Sequence, residues 1–448
     1  MPESPIIPEF GMYEDRLEKS ELVEITNRLS TGFRTGKDRF LDFTDILTEF
    51  VGSGEWRNRS EGFLAICAKS SFLRGQYGYN QVLAKGSSSI ICKGYTAAGY
   101  CRQSLDPRWL SNLQTYVNQA WQSKDYIAFA ELSFQLASIL IDLGYAERAR
   151  TVASGSIDKV TQATAKHEKI RTKVQTALLR SRILMAHIDI QAASRDEALI
   201  RLDSAEETAR LLDHELAMTD IIYYRARTLE DSHEYRRALE LAKSALQKYE
   251  LMGYLQGVAD AQNLIGVIHM DLGESQDALD RFEELLVIQQ QLNNQVGLAR
   301  TLINLGEIDR GLGQFNQMET YNQRALEISQ EAEYMRGIAT SKINIGDALI
   351  QSGNFEDAIN YYKESIVVSE CSGMKDLLAL VPFLIADAKF MLQQYEEAKR
   401  KYIEVGKFTK KNGYPIAAFN AKVSEIVTVI AMGDSPNDKL LEDICSIL

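Results

Sequence analysis

Apolar residues in the second half of the chain recur three and four positions apart, the spacing that places side chains on one face of an α-helix. One such block, between residues 299 and 308, predicts an amphipathic helix, and a second block lies between residues 318 and 328. Gly313 and Phe315 separate the blocks, where glycine permits a tight turn and an aromatic ring fills the corner. The pattern therefore predicts a helical hairpin, and it returns between residues 344 and 366.

Landmark residues, most of them small, repeat with a fixed step of 40 residues. One series marks the start of the second helix of each predicted hairpin: Ala238, Ala278, Met318, Ala358 and Ala398. Another series marks the first helix: Ala186, Ala226, Gly266, Gly306, Gly346 and Ala386. Repeats of this length are typical of stacked helical units that bury their apolar faces against one another. They favour an extended binding surface over a catalytic pocket.

The hairpin motifs resemble the tetratricopeptide repeat family. Asn304-Leu305-Gly306 followed by Gly313-Gln314-Phe315 matches the first helix and the turn of the family motif, and Gly353-Asn354-Phe355-Glu356-Asp357-Ala358 matches the turn and the second helix. Met318 replaces the usual alanine, and Gln393 replaces a turn glycine, which puts the geometry of that turn in question. The 40-residue period resembles the subclass with elongated helices found in cell-polarity adaptors and kinesin light chains.

The resemblance implies an all-α fold, a right-handed α-solenoid of stacked antiparallel helix pairs. Extending the 40-residue step predicts about seven hairpins over residues 126–433 and a C-terminal capping helix over residues 434–448. The prolines near the N-terminus predict an extended arm over residues 1–11, because proline disfavours helix in the residue before it. Residues 12–125 are predicted to form a divergent helical region, in which residues 75–102 form either a loop or a degenerate hairpin.

The composition narrows the classes of partner. The formal net charge of -12 argues against non-specific nucleic-acid binding, which requires a basic face. No apolar run approaches the roughly 20 residues that cross a bilayer, and the N-terminus lacks the regions of a secretory signal. Five scattered cysteines suit free thiols in a reducing compartment. We therefore expect a cytoplasmic protein with neither a nucleic-acid partner nor membrane insertion.

Catalytic and metal-binding patterns in the sequence are weak. Residues 32–38 resemble a phosphate-binding loop, but they have one residue too few between the glycines, and Asp38 replaces the required serine or threonine. The five histidines form no pair with metal-site spacing, and neither do the cysteines. We therefore expect no enzymatic activity, no cofactor and no metal.

In tetratricopeptide repeat arrays the first helix of each hairpin lines a concave groove. The resemblance implies these partner-binding residues: Arg227, Asp260, Asn263, Arg300, Asn304, Glu307, Arg310, Asn344, Asp347, Phe383 and Asp387. Asn304 and Asn344 match the family asparagine that holds a peptide backbone, since an amide both donates and accepts. Alternatively, these asparagines bond neighbouring helices, and Phe383 and Phe390, which are expected as apolar anchors for the ligand, are ordinary packing. Because carboxylates outnumber guanidinium groups in this set, we expect a basic or apolar protein or peptide ligand.

The leading functional hypothesis is a non-enzymatic adaptor or scaffold that holds a partner peptide or helix in the concave groove of the array. The alternative is a structural subunit of a larger multiprotein assembly, which uses its convex face and its N-terminal region. A third hypothesis, an enzyme or an enzyme regulator that acts through the N-terminal region, lacks any catalytic constellation in the sequence.

Overall fold

The structure is a computed structural model that describes residues 6–32, 39–104, 107–165, 168–191, 194–372, 374–412 and 414–436. Within these ranges the protein contains 22 α-helices, one short 3-10 helix and no strand. The all-α fold class predicted from the repeat pattern is therefore confirmed. The phosphate-loop-like stretch after Gly32 falls outside the described residues. The predicted capping helix over residues 434–448 does so too, apart from residues 434–436, which are not helical.

The chain divides into two compact units, Met1–Gly297 (unit 1) and Leu298–Leu448 (unit 2). The helices of unit 1 are α1 (Pro8–Gly11), α2 (Lys19–Gly32), α3 (Arg39–Ser53), α4 (Glu61–Leu73), α5 (Tyr77–Gly86), α6 (Ile90–Ser104), α7 (Pro107–Gln122), α8 (Tyr126–Asp142), α9 (Ala146–Thr164), α10 (Glu168–Gln191), α11 (Arg195–Leu211), α12 (Glu215–Glu230), α13 (Tyr235–Met252), α14 (Leu255–Asp271) and α15 (Ser275–Leu292). A 3-10 helix, Glu14–Arg16, follows α1. The sequence-based boundary at residue 126 stays a prediction.

Helix α16 (Gln295–Gly311) begins before the boundary between the units and ends in unit 2. The remaining helices of unit 2 are α17 (Phe315–Glu331), α18 (Met335–Gln351), α19 (Phe355–Ser372), α20 (Lys375–Met391), α21 (Tyr395–Lys411) and α22 (Pro415–Ala431). From α17 onward each helix packs mainly against the next one along the chain. Because the connections are short, successive helices run antiparallel, and unit 2 is a stack of helical hairpins.

The N-terminal segment is not the extended arm predicted over residues 1–11, since its described part is helical and buried. Pro8 is at the start of α1, where a missing N–H and a fixed φ suit a helix. The Phe10 ring is fully buried, and the buried Glu9 carboxylate lies 3.0 Å from Nδ1 of His214. The prediction failed because proline disfavours a helix interior but not a helix start.

Residues 75–102 form the helical hairpin α5–α6 and not a loop, the other structure that the sequence allowed. Gly75 is a turn residue with φ +69, whereas Gly94 and Gly99 lie inside α6 and permit close helix packing. A Cβ atom at Gly94 would lie 2.4 Å from Leu132 Cδ2, and one at Gly99 would lie 3.1 Å from Tyr77 Cδ1. Glycine at these positions allows α6 to approach its neighbours.

In unit 2 the small landmark of the first helix makes room for a side chain from the second helix. A Cβ atom at Gly346 would lie 2.5 Å from Cε1 of Tyr362, which is 1% exposed. The turns also repeat: Gly353 has φ +78, and Gln393 one repeat later has φ +60. The glutamine thus adopts the left-handed conformation of the family glycine at a cost in backbone strain.

Candidate partner-binding site

A pocket of about 420 Å³ lies in unit 2 among the first helices of three successive hairpins, α16, α18 and α20. It is lined by Arg310, Phe315, Asp347, Ile350, Gln351, Tyr362, Leu384, Asp387, Ala388, Phe390 and Met391. The 40-residue step places Asp347 and Asp387 at equivalent positions, and Glu307 has this position one repeat earlier. Three of the predicted groove residues, Arg310, Asp347 and Asp387, therefore come together in one pocket.

A tyrosine from the second helix of the same hairpin fixes each pocket aspartate. Tyr362 Oη donates to Asp347 Oδ1 at 2.6 Å, and Tyr402 Oη donates to Asp387 Oδ1. Burial raises the pKa of both aspartates above the ordinary value of 3.8, although the tyrosine hydrogen bonds act in the opposite direction. The two carboxylates are therefore partly desolvated and held in a defined orientation.

Arg310 is the cation at one side of the pocket, and it already has an anionic partner. Its Nη2 lies 2.8 Å from Oε2 of Glu307, one turn earlier on α16. The Glu307 carboxylate raises the pKa of Arg310, and the Arg310 charge opposes the rise in the pKa of Asp347. Among the described residues, no cation is found to act in this way on Asp387. The negative charge of the pocket is thus least compensated at Asp387.

Two of the predicted groove residues lie in the packed part of unit 2. Asn344 is 3% exposed, and its Nδ2 donates to Oδ1 of Asn322 on α17 at 3.1 Å. The ring of Phe383 packs against Tyr402, with ring centroids 5.5 Å apart. Both residues therefore contact neighbouring helices, which is the alternative that the sequence left open for them. The aromatic rings that line the pocket are those of Phe315, Tyr362 and Phe390.

The predicted groove residue Asp260 lies on α14 in unit 1. Gln256 Nε2 donates to Asp260 Oδ1 at 3.1 Å. Burial raises the pKa of Tyr77 on α5, and the Asp260 charge contributes a smaller rise. Burial acts to lower the pKa of Arg102 on α6, which is raised overall, and the Asp260 charge is among the weaker influences that raise it. Asp260 is therefore within electrostatic reach of the N-terminal helices.

The other predicted groove residues are half-buried and already have partners. Desolvation acts to lower the pKa of the Arg227 guanidinium, but its interaction with Tyr223 acts in the opposite direction, and the pKa is raised overall. Asn263, Arg300 and Asn304 are half-buried, and each takes part in an interaction. The structure thus does not bring these residues into the pocket with Asp347 and Asp387.

One group of side chains in the described part of the chain has metal-ligand geometry. Ligand atoms of His269, Glu274 and Asp277, at the α14–α15 turn, lie within 4.8 Å of one another. His269 Nδ1 lies 2.6 Å from Glu274 Oε2, which is the contact of an ordinary ion pair at a turn. The expectation of no metal and no cofactor stays a prediction.

Sequence reasoning missed the two tyrosines that orient the pocket carboxylates. Neither Tyr362 nor Tyr402 is among the site residues predicted from the sequence. The spacing could have identified these two pairs, because each tyrosine follows its aspartate by 15 residues. The repeated pairing of a first-helix carboxylate with a second-helix tyrosine predicts a contact within one hairpin.

These features define a helical-repeat protein with a polar pocket between successive hairpins. A family model described as "Tetratricopeptide repeat" matches residues 257–331 and 297–370. This part of the chain is therefore similar to tetratricopeptide repeats, the family that its motifs resemble. No curated protein sequence matches the chain significantly. Among the described helices, none is both long enough and apolar enough to cross a bilayer.

Solved structures show the same fold at low sequence identity. The apo form of the quorum sensor NprR from B. thuringiensis is 15% identical with a TM-score of 0.54, over 79% of this chain and 97% of that chain. A Rap protein complexed with Competence and Sporulation Factor is 12% identical with a TM-score of 0.50, over 81% and 100%. A STAND protein with a tetratricopeptide repeat sensor, from Pyrococcus horikoshii, is 13% identical with a TM-score of 0.50, over 99% and 72%.

Proposed function

We propose that the protein is a non-enzymatic interaction adaptor that binds a segment of a partner protein in the pocket of unit 2 and along the adjoining first helices. The observation that carries the proposal is the pair of oriented, partly desolvated carboxylates, Asp347 and Asp387, in a pocket with apolar walls. A few fixed polar groups among apolar side chains are typical of recognition sites. Helical repeats present such sites at regular intervals, which suits an extended partner.

The comparisons support the proposal at the level of the fold. One structure with this fold is described as a Rap protein complexed with Competence and Sporulation Factor. The complex is that protein's own, and it supports the proposal that an array with this fold binds a protein or peptide.

A peptide selection tests the proposed function. A phage-displayed library of random peptides is selected on the full chain, and the affinities of the selected peptides are measured by fluorescence polarisation. Met391 lines the pocket and is 57% exposed, so Met391→Lys changes the pocket rim with little cost in stability. Val367 on α19 is 59% exposed and is not among the pocket-lining residues, so Val367→Lys is a matched control.

We expect Met391→Lys to weaken the selected peptides at least about tenfold, because the lysine repels basic peptides and obstructs apolar ones. Val367→Lys is expected to leave the affinities unchanged. Peptides that bind both variants as tightly as the original chain would contradict the proposal, and so would a selection that yields no specific peptide.

A second candidate function, a structural subunit of a larger assembly, is favoured by the surface of α22. Ile416, Val427 and Ile430 are 77%, 48% and 57% exposed and share one face of this helix. An apolar stripe of this kind suits burial against another protein. Sedimentation velocity distinguishes the cases: self-association that Ile430→Glu abolishes supports the assembly function, and a monomer at all concentrations removes this support.

A further inference from the structure

We propose that the pocket of unit 2 accepts the guanidinium group of an arginine from the bound partner segment, placed between Asp347 and Asp387. This inference rests on the proposed function and specifies the chemistry of its central subsite. It follows from the hydrogen bonds of the two carboxylates, from the distribution of charge around them and from the apolar walls of the pocket.

Each carboxylate uses one oxygen within the protein and leaves the other available. Tyr362 and Tyr402 donate to Oδ1 of Asp347 and of Asp387, and no described residue is found to donate to either Oδ2. Asp347, Tyr362 and Asp387 line the same pocket, and the Asp387 charge contributes to the raised pKa of Tyr362 after burial and Asp347. A guanidinium group carries five N–H donors in one plane and can serve two such acceptors at once.

The charge around the two aspartates favours a cationic ligand. Arg310 offsets part of the Asp347 charge, but Glu307 binds Arg310 at 2.8 Å and competes for it. Asp387 has Tyr402 as its hydrogen-bonding partner. Partly desolvated carboxylates gain more from a cation than exposed ones do, because the surrounding protein screens the attraction less than water.

The pocket walls favour arginine over lysine. The side chains of Phe315, Ile350, Leu384, Phe390 and Met391 provide apolar and aromatic surface next to the carboxylates. A guanidinium plane stacks on aromatic rings and is weakly hydrated, so it enters a partly desolvated site at a smaller cost than an ammonium group. The methylene stem of arginine covers the remaining apolar surface.

The test uses small probes, so that it does not depend on a partner segment. Nα-acetyl-argininamide, Nα-acetyl-citrullinamide and Nα-acetyl-lysinamide are titrated into methyl-labelled full-length protein and followed by NMR. Citrulline has the shape of arginine without its charge, and lysine has the positive charge without the planar guanidinium group. The variants are Asp387→Asn, which keeps an oxygen acceptor for Tyr402, and Asp357→Asn, which removes the same charge from an exposed position on α19.

We expect argininamide to shift the methyl signals of Ile350, Leu384 and Met391 saturably and to bind at least about tenfold more tightly than citrullinamide. Asp387→Asn should remove this difference, and Asp357→Asn should keep it. The inference is overturned if arginine and citrulline bind equally, if lysine binds as well as arginine, or if Asp387→Asn has no effect. The comparison of arginine with citrulline needs only the original chain, so it stands even if a variant fails to fold.

The failures of the two proposals are distinguishable. The selected peptides could fail to bind the Met391→Lys variant while argininamide and citrullinamide bind the original chain equally well. In that case the groove binds its partner without an arginine subsite. If argininamide binds as expected but no selected peptide responds to Met391→Lys, the pocket recognises guanidinium and the adaptor function fails.

Discussion

Replacement of Gly346 by alanine tests the packing of unit 2 most sharply. The new Cβ atom would lie 2.5 Å from Cε1 and 2.9 Å from Cδ1 of Tyr362, well inside van der Waals contact. Tyr362 is 1% exposed and its hydroxyl is bound to Asp347, so the ring cannot move without breaking that hydrogen bond. Overpacking of a filled core costs about 1–3 kcal/mol, and the helix gains about 1 kcal/mol when alanine replaces glycine.

The difference between these two effects is about 0–2 kcal/mol, and we expect a net destabilisation of about 2 kcal/mol, because the obstacle is a buried ring and not a flexible side-chain end. The chain has two compact units, so the assay is native-state hydrogen exchange over α18 and α19 rather than a global unfolding curve. The slowest amides of these helices should exchange about 30-fold faster.

Gly406→Ala is the matched control, since Gly406 is also inside a helix of unit 2. Its Cβ atom would meet only Ala421 Cβ at 3.7 Å, an ordinary contact, so α21 should gain up to about 1 kcal/mol of stability. Unchanged or slower exchange in Gly346→Ala, as in the control, would refute the claim that the small landmark exists to admit Tyr362.

Further predictions concern the turns, the N-terminal contact and the thiols. Gln393→Gly should slow exchange in α20 and α21, with a gain of about 1 kcal/mol, because Gln393 has φ +60; faster exchange would contradict this. Burial alone would raise the pKa of Glu9, but His214 lowers it from 4.5 to about 2. The resulting stabilisation is present above about pH 4.5 and is lost as the pH falls towards 2. Glu9→Gln should therefore flatten the pH dependence of the opening free energy that hydrogen exchange measures in α12 across this range, and an unchanged pH dependence would contradict this prediction. Burial raises the pKa of the Cys92 thiol to about 12, so iodoacetamide at about pH 8 should alkylate the exposed Cys371 long before Cys92, as mass spectrometry of digests can show.

The sequence predicted the hairpins of unit 2 because repeat packing imposes the same requirement at the same position in every copy. Gly346 is small because Tyr362 packs on it, and Gly353 is glycine because the turn has a positive φ. Gln393 shows the limit of this reasoning, since the turn keeps its left-handed conformation without a glycine. Position along the repeat was therefore a better guide than residue identity.

The pocket aspartates were predictable for the same reason, whereas Asn344 was not. Asp347 and Asp387 occupy a first-helix position that is acidic in three successive repeats, beginning with Glu307. A sequence pattern cannot tell an amide that binds Asn322 on the preceding helix from one that faces a groove. The assignment depends on contacts between helices, which local spacing does not contain.

Sequence patterns could not predict the burial of the N-terminal segment. Glu9 Oε1 accepts a hydrogen bond from the Leu216 backbone N–H at 3.2 Å, 207 residues further along the chain. Local spacing along the chain contains no information about such a long-range contact, so the sequence could not place Glu9 in the core.

Photo-crosslinking of a selected peptide is the most direct test of the central claim that the pocket of unit 2 holds a partner segment. Benzoylphenylalanine is introduced at position 391, on the pocket rim, or at position 367, on α19, and the irradiated full-length protein is mapped by mass spectrometry. The account predicts peptide adducts from position 391 and none from position 367. Adducts from position 367 alone, or from neither position with a peptide that still binds, would contradict it.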